Sequence, residues 1–194
     1  MNQPSYTTIL AIDREEHLAL QDWSRGLDWV RWMLGDIRSH LPPLSTSEHA
    51  PQQEHEVLHD WQTFAGGLFQ EVCGPLLRDC WQAAQGGRTR RLAQLAWQLQ
   101  EQLPASVRER STEAAHLLLR GTRHAMFQEV LGKHRAAIEE ERCPAHFLPV
   151  WAALGSLFHL GLANITAEYL RLEWAMLSRH HPDLPEPSGP AGIV

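Results

Sequence analysis

The sequence predicts an all-α fold, a bundle of about six helices, and three observations predict it. Leu20, Trp23, Leu27, Val30, Leu34, Ile37 and Leu41 step by three and four residues, which is one continuous apolar helical stripe. No stretch alternates apolar and polar side chains with the period of two that a half-buried strand needs. The prolines and paired glycines cut the rest of the chain into helix-length pieces with no fixed-period repeat.

Taken in order, the first helix is expected over 8–41, its stripe headed by Asp13 and Glu16. The Pro- and Ser-bearing stretch Leu41 to Gln53 reads as a loop. A second helix is expected over 53–73 with Leu58, Trp61, Ala65, Leu68 and Val72 facing inward. It should stop or kink at Pro75, which lacks an amide hydrogen and crowds the preceding turn, and Pro75 can open a short helix over 75–84. After Gly86 and Gly87 a helix over 88–102 carries Leu92, Leu95 and Leu99 and ends before Pro104. A long helix over 105–142 has Gly121 and Gly132 as weak points, and a last one over 145–179 is opened by Pro144. Residues 1–180 thus form a single helical domain, and the tail over 181–194, with four prolines from Pro182 on, reads as disordered.

Length and composition narrow the function. A chain of 194 residues with 43% apolar and 21% charged side chains is long enough to bury a core and too apolar to be disordered. The net charge of −6 argues against nucleic acid or an anionic membrane as the main partner, and Gly86 to Arg91 is too short a basic run to reverse that. Cys73, Cys80 and Cys143 are odd in number and form no C-x-x-C pair, so reduced thiols in the cytoplasm are expected. The N-terminus lacks the basic start and long apolar core of a signal peptide. The most apolar run, Phe147 to Ala163, is broken by Pro149, Ser156 and His159 and falls short of a membrane span.

The chemistry-bearing residues are few. His55 and His59 stand one turn apart, and Glu56/His59 and Glu113/His116 have the Glu-x-x-His spacing of di-iron bundles. The helical phase turns Glu56 away from the core, which argues against a metal there. Asp13, Glu16 and His17 fit the acidic first turn of any helix. His159, in an apolar setting, reads as a buried neutral imidazole. A glycine-rich phosphate loop, a G-x-S-x-G elbow and a cysteine signature are all missing, so no acyl-transfer or nucleotide-dependent enzyme is indicated.

Four segments read together point further: "LFQEVCGPLLRDCW", "RRLAQLAWQL", "GTRH" and "LFHLGLANITAEYLR". Over Leu68 to Arg171 they resemble the haem domains of globin-coupled sensors, the protoglobin-like family. The resemblance puts Phe69 at that family's distal tyrosine position, followed by Pro75, Trp81 and Trp97. It makes Gly121 and His124 the G-x-x-H and Glu168 and Tyr169 the closing acidic-aromatic pair. It implies a globin-like bundle without catalytic activity that binds haem and senses oxygen or another diatomic gas. His124 would be the iron ligand, with Phe69, Leu95, Trp97 and Leu99 lining the haem slot. His116 and His134 are rival ligands on the same long stretch. The chain departs from the family in its phenylalanine, in "AMFQEV" after the histidine and in its long first helix.

A second likeness leads elsewhere. "ERCPAHFLPVWAAL" (Glu141 to Leu154) is similar to a segment of the helical chaperones that mature molybdenum redox enzymes, with Ala145 where that family has aspartate. It implies a groove that binds an apolar signal helix and needs no catalytic residue. A plain helical adaptor is the third possibility. The final helix adds an expectation about assembly. Trp151, Phe158, Leu162, Ile165, Tyr169, Leu172 and Met176 form one stripe, while Val150, Leu154, Leu157 and Leu160 face another way. A helix apolar on two sides must be covered on both, which predicts a homodimer through that helix.

Overall fold

A computed structural model of the chain describes residues 26–44, 51–123 and 129–187. Among them every regular element is helical, no strand is present, and no helix is long and apolar enough to cross a membrane. The first helix, α1, is described from 26 to 40; its predicted stretch 8–25 lies outside the described residues. Val30, Leu34, Ile37 and Leu41 are all buried, as the stripe requires.

Helix α2 (Glu54–Thr63) starts in a capping box, with the Glu56 carboxylate accepting the Gln53 amide at 3.1 Å. The expected stop at Pro75 does not occur as a break. Instead α2 runs into a π-helical stretch, Phe64–Cys73, which passes directly into α3 (Gly74–Gln85) with Pro75 in its first turn. The wider π turn gives the proline ring room, and the Gly74 amide reaches back five residues to the Phe69 carbonyl. The predicted inward face holds at Trp61 but not at the other four positions. Leu58 is exposed and Ala65, Leu68 and Val72 are half-buried, while Val57, Trp61, Phe64, Phe69 and Cys73 fill the core.

Helices α4 (Thr89–Gln102), α5 (Ala105–Gly121), α6 (Val130–Glu139), α7 (Phe147–Leu157) and α8 (Leu162–Leu177) complete the described fold. The single helices expected over 105–142 and 145–179 are therefore each divided in two. Three of the turns share one closing device, a residue in the left-handed region followed by an amide that bonds five residues back. Gly87 has φ 64° with Arg88 N–H on the Ala83 carbonyl, Glu141 has φ 56° with Arg142 on Ala137, and His159 has φ 54° with Leu160 on Gly155. His159 is thus an exposed turn residue and not the buried imidazole expected of it.

Helix α7 is the axis of the bundle. Its residues from Phe147 to Gly155 are all buried, with α3, α5 and α6 packed around it. At Gly155 a Cβ would lie 2.5 Å from Ile165 Cγ2, so only glycine lets α8 approach that closely. Tryptophan N–H groups tie the turns down: Trp81 donates to the Leu160 carbonyl and Trp151 to that of Ile165, each at 3.0 Å. Val150, Leu154 and Leu160 are buried and Leu157 half-buried, all within one chain. The uncovered apolar side on which the expected dimer rested is not there, because the turn at His159 folds α8 back against the core that α7 shares. In the tail, Leu184 packs on the core and Glu186 lies 3.5 Å from Arg171, so residues 181–187 follow the bundle surface.

Candidate binding groove

Helices α1 and α8 face each other across a groove of about 300 Å³, lined by Arg31, Leu34, Arg38, Glu168, Leu172 and Trp174 among others. The spacing that makes α1 amphipathic puts Arg31, Leu34 and Arg38 on its α8 side, one turn apart. Gly35 also lies there, and a Cβ on it would meet open space. The floor is apolar, formed by Leu34, Leu172, Trp174 and Ala175.

The walls are charged. Glu168 is 5% exposed, and Arg31 grips it with two hydrogen bonds, Nε to Oε2 at 3.1 Å and Nη2 to Oε1 at 2.7 Å. Arg171 adds a third at 2.6 Å. Burial pushes the Glu168 carboxyl up, but the bonds and charges of Arg31 and then Arg171 outweigh it and hold it below the usual range. The bond to Glu168 in turn raises Arg31. Arg38 has no carboxylate partner among the described residues. With Glu186 at one end, the groove carries three arginines against two carboxylates.

The residues expected around haem lie elsewhere. His124 falls outside the described residues. Phe69, Leu95 and Leu99 are completely buried. Phe69 packs on Phe64 and Tyr169, with ring centroids 5.7 and 6.0 Å away. Trp97 lies about half a turn round α4 from Leu95 and Leu99, is 50% exposed, and donates to the Arg142 carbonyl. It cannot share a wall with them. None of Phe69, Leu95, Trp97 and Leu99 lines the void of about 10 Å³ beside Phe147 and Tyr169. As packed, these four residues do not fit a flat haem slot.

The rival histidines separate sharply. His116 is exposed. His134 is fully buried, and among the described residues neither of its ring nitrogens has a hydrogen-bond partner. Burial lowers it to about 4, so it is neutral. His55 and His59 are exposed on α2, while Glu56, expected to face away from the core, is half-buried with its carboxylate in the cap. Asp13, Glu16 and His17 lie outside the described residues, among which no three His, Cys, Asp or Glu side chains converge as metal ligands do.

The chaperone-like segment is an anchor inside the bundle. His146 is buried, its Nδ1 3.3 Å from the Ser111 hydroxyl and its Nε2 3.0 Å from the Gln100 side-chain oxygen. The Ser111 oxygen also accepts the Phe147 amide, which starts α7. Burial, aided by the Arg108 charge, lowers His146 to about 4. Sequence reasoning missed the groove because Arg31, Arg38 and Arg171 look like ordinary surface arginines, and Arg31 stands 137 residues from Glu168. Its one sequence signal was Glu168 inside an apolar stripe. Compared with protein-family models, curated proteins and solved structures, the chain finds no match in any of the three.

Proposed function

We propose that the protein is a non-catalytic helical binding module, an adaptor or chaperone that holds a short polypeptide segment of a partner in the α1–α8 groove. The observation that carries this reading is the groove itself: an apolar floor of Leu34, Leu172 and Trp174 under an arginine-rich rim. Such a site suits an apolar side chain next to a carboxylate, with Arg38 as the guanidinium open to it. The chaperone likeness in the sequence implies a peptide groove of this kind and needs no catalytic group.

The test is peptide selection from a random displayed library on the wild-type chain, repeated on Gly35→Phe, which fills the groove from a position with free space. Peptides enriched on the wild type should carry an acidic residue beside an apolar one and lose at least about tenfold in affinity on Gly35→Phe. Enriched peptides indifferent to that substitution would end the reading.

His134 favours a second one. A fully buried imidazole with no hydrogen-bond partner among the described residues asks for an explanation, and an iron ligand is one. Haem there would have to displace packed core, since His134, Phe69, Leu95 and Leu99 are all fully buried. Haem titration of the wild type, His124→Ala and His134→Ala decides it. A Soret band lost in one variant supports the sensor reading; no band in the wild type removes it.

A further inference from the structure

The outer face of α1 carries two of the four large apolar side chains that are exposed among the described residues, Trp32 being the most exposed of them. Trp32 is 66% and Trp29 46% exposed, although a lone exposed tryptophan is already uncommon. The two rings pack 5.7 Å apart, and Trp29 continues to Phe158 at 6.3 Å, so three aromatic rings form one patch. Phe158 itself is half-buried in the turn between α7 and α8, which fixes the patch to the rigid part of the bundle.

Among the described residues, two carboxylates flank the patch on α1. Asp28 and Asp36 are exposed and stand one helical turn before and after Trp32. The basic residue nearest in sequence, Arg31, projects to the α8 side, where Glu168 holds it. The two flanks of α1 therefore differ: arginines toward the groove, and tryptophans with aspartates on the open side.

Tryptophan faces attract cations through the ring quadrupole, guanidinium best of all because it also stacks. Carboxylates one turn away on either side add an attraction at a distance that side chains of a docked segment can span. The geometry points to a docking surface for a cationic segment of a partner polypeptide, its arginines lying over Trp29 and Trp32 and reaching Asp28 and Asp36. This proposal uses a different face from the groove and stands or falls separately from it. Charge complementarity also disfavours a second copy of this chain, whose net charge is −6.

Three synthetic helical peptides test it with the full-length chain, by polarisation of a dye on the peptide. They share one apolar pattern and carry arginine, glutamine or glutamate at the same positions. The arginine peptide should bind, more weakly as salt rises, and the other two should not. Trp32→Ala, at a site open enough to leave the fold intact by circular dichroism, should weaken binding about five- to tenfold. Asp28→Asn with Asp36→Asn should weaken it about threefold and flatten the salt dependence. Gly35→Phe, in the groove, should leave it unchanged, so a failure here is not a failure of the groove. Equal binding of the arginine and glutamine peptides, or no effect of Trp32→Ala, overturns the proposal. So does sedimentation of the wild type as a dimer that Trp32→Ala dissociates, because the face would then belong to a second copy.

Discussion

Glu168 and His134 are both buried ionisable side chains, and the bundle treats them in opposite ways. Glu168 keeps its charge because two arginines, each about half exposed, lean over it from α1 and α8. His134, on α6, gives up its charge because no partner among the described residues meets either nitrogen. The difference teaches where this fold spends polar groups. The α1–α8 side sets charged walls over an apolar floor and is open to a ligand, whereas the α6–α7 side is apolar packing around one imidazole without a partner among the described residues.

Acid should break the two sides in a fixed order. His134 and His146 each titrate near 4 when folded against 6.5 as free side chains, so the unfolded chain binds the extra protons. Their contribution is complete above pH 6.5 and is lost as the pH falls toward 4. At about 1.4 kcal/mol per pH unit, each histidine accounts for about 3 kcal/mol over that window. Glu168, held below the usual carboxylate range, contributes above that range and loses its contribution only at still lower pH. Urea midpoints measured from pH 7 to pH 4 should fall steadily, and a flat profile would contradict the burial of both imidazoles.

Removing His134 sharpens the contrast. His134→Leu should raise stability at pH 5 by about 1–3 kcal/mol, since it deletes an unsatisfied group and one of the two titrating sites. His146→Leu should lower stability at pH 7, because Ser111 and Gln100 would lose their partner. If His134→Leu instead destabilises the chain at both pH values, the imidazole is not an unsatisfied group.

On the other side, Glu168→Gln should cost about 1–2 kcal/mol at neutral pH, less than a fully buried pair would, since both arginines can turn to water. The cost should vanish once the pH is low enough to protonate Glu168. The smallest effect is expected at Arg142–Glu140, a pair at 2.7 Å with both side chains about 60% exposed. Glu140→Ala should change the melting free energy by less than about 0.5 kcal/mol, which calibrates what an exposed ion pair contributes here.

How much of this was legible in the chain varies with the physical range of each signal. The fold class and the inward face of α1 followed from local spacing, because a period of three and four is a property of consecutive residues. The turn at Gly87 could be read from its glycines. Those at Glu141 and His159 could not, since a charged and an aromatic side chain occupy a left-handed conformation that sequence assigns to glycine. The inward face of α2 was misread by one position at Leu58, which is exposed beside the buried Val57, and over the π stretch Phe64–Cys73 it is Phe69 and Cys73 that are buried rather than Leu68 and Val72.

The site was less legible than the fold. The haem residues were gathered by order along the chain, yet Leu95 and Trp97, two residues apart on one helix, cannot face one slot. Glu168 was noticed, but its meaning lay in Arg31, 137 residues away. By itself the sequence determined that this chain is helical and where its first helix turns its apolar side, because each depends on neighbours within a turn or two. Only the tertiary structure decided that two long helices become four, that the second apolar face of the last one is covered by its own chain, and that three scattered arginines share a groove with one buried carboxylate. Those outcomes depend on which distant side chains meet, and burial and pairing energies arise only when they do.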